Sequence, residues 1–340
     1  MTEGLLYGVT LTMIAGLMSG NCMLPMKFTR SWRWENVWLI FSVVSMVILP
    51  WVLAVTLVDH LPDIYRGLRM GRLAVPLLLG AGWGIAQVLF GISVKRLGLG
   101  VAYAIIVGLG AVLGTLVPLL VQQNAAVTGH AAYFIFSGVT IMVAGVFFTG
   151  WGGQIREGAS NSAAGAANVP SRQEYLPAIL LAVVCGIMAP MLNYSFAFGQ
   201  DIAKEAVRLG VPALRAGYAV WPIALAGGFI PNIAYCLYLL SKNGTWKLFR
   251  SSGPDFFWSS LMGILWMGAF ALYGMSASYL GALGTSVGWG LFQIFMIMTA
   301  TLSGVLTGEW RRASRRATGL LGVGLACLTG ATILLALGNW

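Results

Sequence analysis

Trp83, Gln87 and Phe90 follow one another at spacings of four and three residues, which puts an indole, an amide and a phenyl ring on one face of a helix. Trp266, Phe270 and Tyr273 repeat that spacing 183 residues later, and Trp289 and Gln293 form a further pair four apart. Asn21, Asn193 and Tyr194 add two amides and a phenol in similarly apolar surroundings. An amide both donates and accepts hydrogen bonds and an indole N–H donates, while the rings present flat apolar faces. Such a set can stack on C–H faces and satisfy hydroxyl groups, so it suits an uncharged polyol. Nucleophilic or metal chemistry has little to work with. His60 and His130 lie in connectors, and Cys22, Cys185, Cys236 and Cys327 form no CxxC pair. No metal, no cofactor and no enzymatic activity is expected.

These side chains sit in a chain of 340 residues that is 58% hydrophobic and only 9% charged, with a mean hydropathy of +0.83. Soluble domains carry about 25% charged residues, so this chain is expected to lie in a bilayer. A crossing helix needs about 20 apolar residues. Ten stretches qualify, the first five being Gly4–Met26, Asn36–Val58, Leu73–Val94, Leu99–Val121 and Ala131–Trp151. The second five are Leu176–Phe198, Ala216–Leu240, Phe256–Tyr279, Gly284–Thr307 and Ala317–Gly338. The N-terminal "MTEG" has no basic region of the kind that opens a secretory signal.

The net charge of +10 comes from connectors. Fourteen of the 20 Lys and Arg fall after the odd-numbered spans, among them Lys27, Lys95, Arg96, Arg156, Lys247, Arg311 and Arg316. That bias marks the cytoplasmic side and puts both termini on the periplasmic side of a bacterial inner membrane. It speaks for membrane topology and against nucleic-acid binding. Most of the tryptophans near span ends, such as Trp32, Trp34, Trp38 and Trp51, are expected to be interfacial anchors.

The segment Gly152–Tyr175, small, polar and Pro-containing, reads as a flexible cytoplasmic linker between residues 1–151 and 176–340, each with five spans. The halves are related. "GAGWGIAQVLFGISVKRLG" (Gly80–Gly98) and "GILWMGAFALYGMSASYLG" (Gly263–Gly281) share eight of nineteen positions without a gap. "AGLMSG" (Ala15–Gly20) and "CGIMAP" (Cys185–Pro190) are a weaker echo. Partners five crossings apart run in opposite directions, so the repeat is inverted. Inverted repeats can exchange conformations and so give alternating access to a central site. Pro190, Pro222 and Pro231 are candidate breaks in spans six and seven.

All ten acidic residues fall outside these boundaries, which leaves an electrically neutral bore. Asp201 and Glu205, one turn apart beyond span six, are the candidates for exchanging a proton with substrate, and Glu35 is expected to offset the dipole at the start of span two.

Several segments, taken in order, resemble the L-rhamnose–proton symporter family. They are "RSWRWENVW" (Arg30–Trp38), "ILPW" (Ile48–Trp51), "GWGIAQVLFG" (Gly82–Gly91), "KRLGLG" (Lys95–Gly100), "EAVRLGVP" (Glu205–Pro212) and "GEW" (Gly308–Trp310). The resemblance implies a ten-helix, five-plus-five inverted arrangement of the drug/metabolite transporter superfamily. It also implies uptake of a neutral sugar such as L-rhamnose, driven by protons. The cavity would be lined by spans one, three, four, six, eight and nine. One departure stands out: enterobacterial members of that family carry an acidic residue just before the tryptophan that matches Trp289, where this chain reads "GTSVGW" (Gly284–Trp289). At this point a carrier for another neutral metabolite, coupling to another cation and uncoupled facilitation all stay open, as does the oligomeric state.

Overall fold

Apolar runs of this length satisfy their backbone only as helices when no water is present to do so. The computed structural model describes residues 2–122, 129–163, 172–250 and 253–338, and among these every regular element is helical. Among the described residues ten helices are long and apolar enough to cross a membrane. The first five are Glu3–Phe28, Trp34–Leu57, Met70–Leu97, Gly100–Val121 and His130–Gly158. The second five are Tyr175–Arg208, Ala213–Asn243, Gly253–Leu283, Val287–Leu306 and Arg315–Gly338. Each coincides with one expected span.

Most of the helices outrun the apolar stretches, and this corrects two expectations. At about 1.5 Å per residue, the 29 residues of the fifth span reach beyond a hydrocarbon core of about 30 Å. Helix therefore continues through Gly152–Ala163, and helix resumes at Arg172, so the expected linker is helical at both ends; residues 164–171 lie outside the described residues. For the same reason Glu35, Glu157 and Asp255 fall in the end turns of spans rather than in connectors. Asp201 and Glu205 belong to a short helix, Gln200–Arg208, that ends the sixth span.

The second, sixth and seventh spans are interrupted, the seventh by a 3-10 turn at Gly217–Ala219 just before Pro222, an expected break. The sixth stops at Met188, turns at Ala189–Pro190 and restarts at Met191, as the missing N–H of proline requires. The second contains a π-helical turn at Val44–Ile48, just before Pro50. Pro231, an expected break, sits inside an unbroken helix.

The spans pack in a connected bundle. The first lies against the eighth and ninth, and the sixth against the third and fourth. The seventh packs on the third and the second on the eighth. The second and seventh, fourth and ninth, and fifth and tenth touch each other, while the fourth also packs on the fifth and the ninth on the tenth. A close crossing joins spans three and seven. A Cβ at Gly80 would strike the Ala224 carbonyl, and one at Gly227 the Leu77 carbonyl, so glycine is what lets these backbones meet.

Candidate functional site

An aromatic cluster holds the middle of the bundle. Trp83 and Trp266 stack with ring centroids 5.4 Å apart and planes 22° from parallel. From Trp266 the contacts run to Phe270 at 4.4 Å, on to Phe292 at 5.4 Å, and from there to Tyr273 at 5.3 Å and Trp289 at 5.7 Å. Phe196 stacks on Trp221 at 4.6 Å and also meets Tyr273. Spacings of about 4.5–7 Å are those at which ring pairs attract, and all these rings are buried.

Asn193 closes one side of the cluster. Its Nδ2 donates to the Gly114 carbonyl at 2.9 Å and to the Thr285 carbonyl at 2.8 Å, and its Oδ1 accepts from the Tyr273 hydroxyl at 2.6 Å. Three spans and the turn before the ninth are thereby tied through one fully buried amide. Trp289 donates its Nε1–H to the Gly110 carbonyl at 3.2 Å, and its ring lies over Gly114. The Pro190 break leads directly into this segment, so the turn that interrupts the helix also brings Asn193 to its partners.

Gln87 and Gln293 differ from Asn193. Each stands one turn beyond a cluster tryptophan, Trp83 and Trp289, toward the helix ends that lead to Lys95 and Arg311. Among the described residues neither side-chain amide has a hydrogen-bond partner, nor do the indole N–H groups of Trp83 and Trp266. These polar atoms are not sealed in the protein, unlike Trp221 Nε1, which is buried without a partner. An unpaired amide in an apolar interior is costly, so this set has donors and acceptors to offer a solute.

The other expected site residues lie elsewhere. Phe90, two turns and about 10 Å along the helix from Trp83, packs against the cluster formed by Ala86, Ala102, Ile106, Ala182 and Cys185 rather than on the ring cluster, because spans four and six are its neighbours at that depth. Tyr194 faces Phe198. Asn21 sits at the basic end of the first helix, donating to the Leu17 carbonyl and accepting from Ser303. Asp201 pairs with Arg72 at 3.6 Å and Lys204 at 3.5 Å, and Glu205 with Arg208. Trp32, expected as an interfacial anchor, is buried, with its Nε1–H on the Leu248 carbonyl at 3.0 Å. Phe292, Phe196 and Trp221 were not among the expected site residues. Phe292 could have been found, since it lies three residues after Trp289 on the same face.

The basic end is fastened by carboxylates. Asp255 accepts the backbone N–H groups of Arg30, Ser31 and Trp32 at 2.8–2.9 Å. Glu35 accepts from Asn243 at 3.0 Å and Thr245 at 2.9 Å. Glu309 joins Lys27 and Arg156, and so links the ends of spans one and five to the connector after span nine. The hydrogen bond from Lys27, helped by the charges of Lys27 and Arg156, holds its carboxyl below the usual range.

Comparison with known proteins gives the family. Residues 1–339 match the family model of the L-rhamnose-proton symport protein. The chain belongs to that family. It is 27% identical over 335 residues to the L-rhamnose-proton symporter of Klebsiella pneumoniae (strain 342), covering 96% of both chains. It is 26% identical to that of Cronobacter sakazakii and 25% identical to that of Salmonella typhi, covering 99% of each pair. A solved crystal structure shares the fold at a TM-score of 0.54 and 15% identity, over 96% of this chain and 95% of its own. This family member is a multi-pass inner-membrane protein and a secondary transporter, not an enzyme.

Proposed function

We propose that this chain takes up L-rhamnose together with a proton, by alternating access between two five-helix halves, 1–151 and 176–340, in an inverted repeat of the drug/metabolite transporter fold. The packing supports the symmetry, since moving every span on by five turns its main helix pairings into one another. Gly80 lies against span seven while its counterpart Gly263 lies against span two. Gly16 lies against span nine while Gly186 lies against span four.

The observation that carries the functional reading is the Trp83–Trp266 stack, formed by the two repeat-related tryptophans, beside the unpartnered amides of Gln87 and Gln293. A pyranose set against that stack would find apolar ring faces and unused donors and acceptors together. The Asn193–Tyr273 link closes the side away from the basic connectors. With the basic end cytoplasmic and both termini periplasmic, the amides then face the cytoplasm in this conformation. Proton exchange falls to Asp201 or Glu205 at the outer end, the carboxylates nearest the sixth span's Asn193 segment in sequence.

Proteoliposomes test the reading. L-rhamnose should show saturable counterflow and should accumulate when the outside is acidic, and other neutral sugars and amino acids should compete poorly. Absence of counterflow, or stronger competition by another solute, would overturn it. Gln87→Leu should abolish sugar-dependent thermal stabilisation of the purified protein.

A further inference from the structure

We propose that the groove between the fourth and fifth spans holds an acyl chain of an anionic phospholipid, with the phosphate gripped by basic residues at its mouth. The groove has a volume of about 580 Å³ and is walled by Gly100, Ala104, Gly108, Val146, Phe147 and Trp151. Ala104 fits against Gly150, so small residues on both helices form the floor. The one side-chain amide in the lining, Gln154, stands at the basic end. None of the side chains in the ring cluster or its amides lines this groove.

Its dimensions fit one leaflet. The lining runs from Gly100 to Val112, about 18 Å along the helix, against a hydrocarbon core of about 30 Å. Both walls are apolar and the groove is open at the side, where in a bilayer acyl chains are the neighbours.

The mouth selects the charge. The Arg316 guanidinium lies over the Trp151 ring at 5.4 Å, and Trp151 is itself a wall of the groove. Arg316, Lys95 and Arg96 are exposed, and none has a carboxylate partner among the described residues. Lys95 and Arg96 precede Gly100 by five and four residues, whereas Arg156 is already engaged by Glu157 and Glu309. Unpaired cations beside an apolar groove at the membrane surface attract anionic headgroups. A second copy of the chain seated here would bring further cations to the same mouth, which disfavours it as the occupant.

The full-length protein, purified and delipidated, is titrated with phosphatidylglycerol or phosphatidylcholine of identical chains. Retention is read by native mass spectrometry and stability by melting temperature. Phosphatidylglycerol should be retained at least fivefold better and should raise the melting temperature more. The combined Lys95→Gln, Arg96→Gln, Arg316→Gln variant should lose that preference while its L-rhamnose-dependent thermal shift is kept. Gly108→Leu should fill the groove and lower retention of both lipids. Equal retention of the two lipids by the native chain overturns the proposal, as does a preference that survives the triple variant. A dimer that Gly108→Leu dissociates would assign the face to a second copy and overturn it as well. The triple variant alters exposed residues only, so it remains decisive if Gly108→Leu does not fold. Loss of L-rhamnose binding in the native chain would count against the transport reading and leave the lipid test standing.

Discussion

Asn193 and Gln293 carry the same functional group on spans six and nine, yet they stand in opposite conditions. Every hydrogen-bonding atom of the Asn193 amide is engaged, on two other spans and the turn before the ninth, and its side chain has no exposure. Gln293, 7% exposed, has no protein partner among the described residues, and Gln87 on span three shares that state. A buried polar group is stable when paired and costly when not. The first amide therefore holds helices together, and the other two are free to meet a solute. Residue type alone does not separate these roles, but the partner count does.

The comparison can be broken by substitution. Asn193→Ala should have the largest effect, because it leaves Gly114, Thr285 and Tyr273 groups unpaired at about 1–3 kcal/mol each. A large fall in melting temperature and loss of transport are expected; near-native stability would refute the structural role of the amide. Gln87→Leu and Gln293→Leu should instead leave the melting temperature unchanged or raised. Each should weaken L-rhamnose binding at least tenfold, or about 1.4 kcal/mol, by calorimetry. Native affinity in both would end their assignment to the substrate.

Tyr273→Phe sharpens the contrast, since it removes only the hydroxyl that meets Asn193. It should cost about 1 kcal/mol of stability and change sugar affinity less than twofold. A tenfold loss of affinity would move Tyr273 from the helix link to the sugar contacts.

The smallest effect concerns the exposed bridge at the basic end. The Glu309 carboxyl is held below its ordinary value of 4.5 by Lys27. Its stabilisation is therefore complete above pH 4.5 and fades as the pH falls through the lowered value. Glu309→Gln should reduce the melting temperature slightly at pH 7 and converge with the native protein in acid. A difference that grows on acidification would contradict the bridge.

Much of this was legible in the residues. Twenty or so apolar positions in a row leave only a helix available, so ten spans follow from the sequence. Helix ends were less legible, because helix persists past the hydrocarbon edge through Gly152–Ala163 although that stretch holds three glycines, two serines and an asparagine, all weak helix formers. The shared face of Trp83, Gln87 and Phe90 followed from their spacing, but not that Phe90, two turns along, meets another cluster. Phe196 and Trp221 could not be joined to Tyr273 from sequence, since nothing local relates residues on different spans.

By itself the sequence determined membership of a membrane class, the number of crossings and the kinship of Gly80–Gly98 with Gly263–Gly281, because these depend on local hydropathy and identity. Only the tertiary structure decided which amides are bound and which are free, and that Trp83 meets Trp266. Those facts depend on contacts between helices far apart in the chain, such as the Gly114 carbonyl meeting Asn193 and the Trp83 ring meeting Trp266.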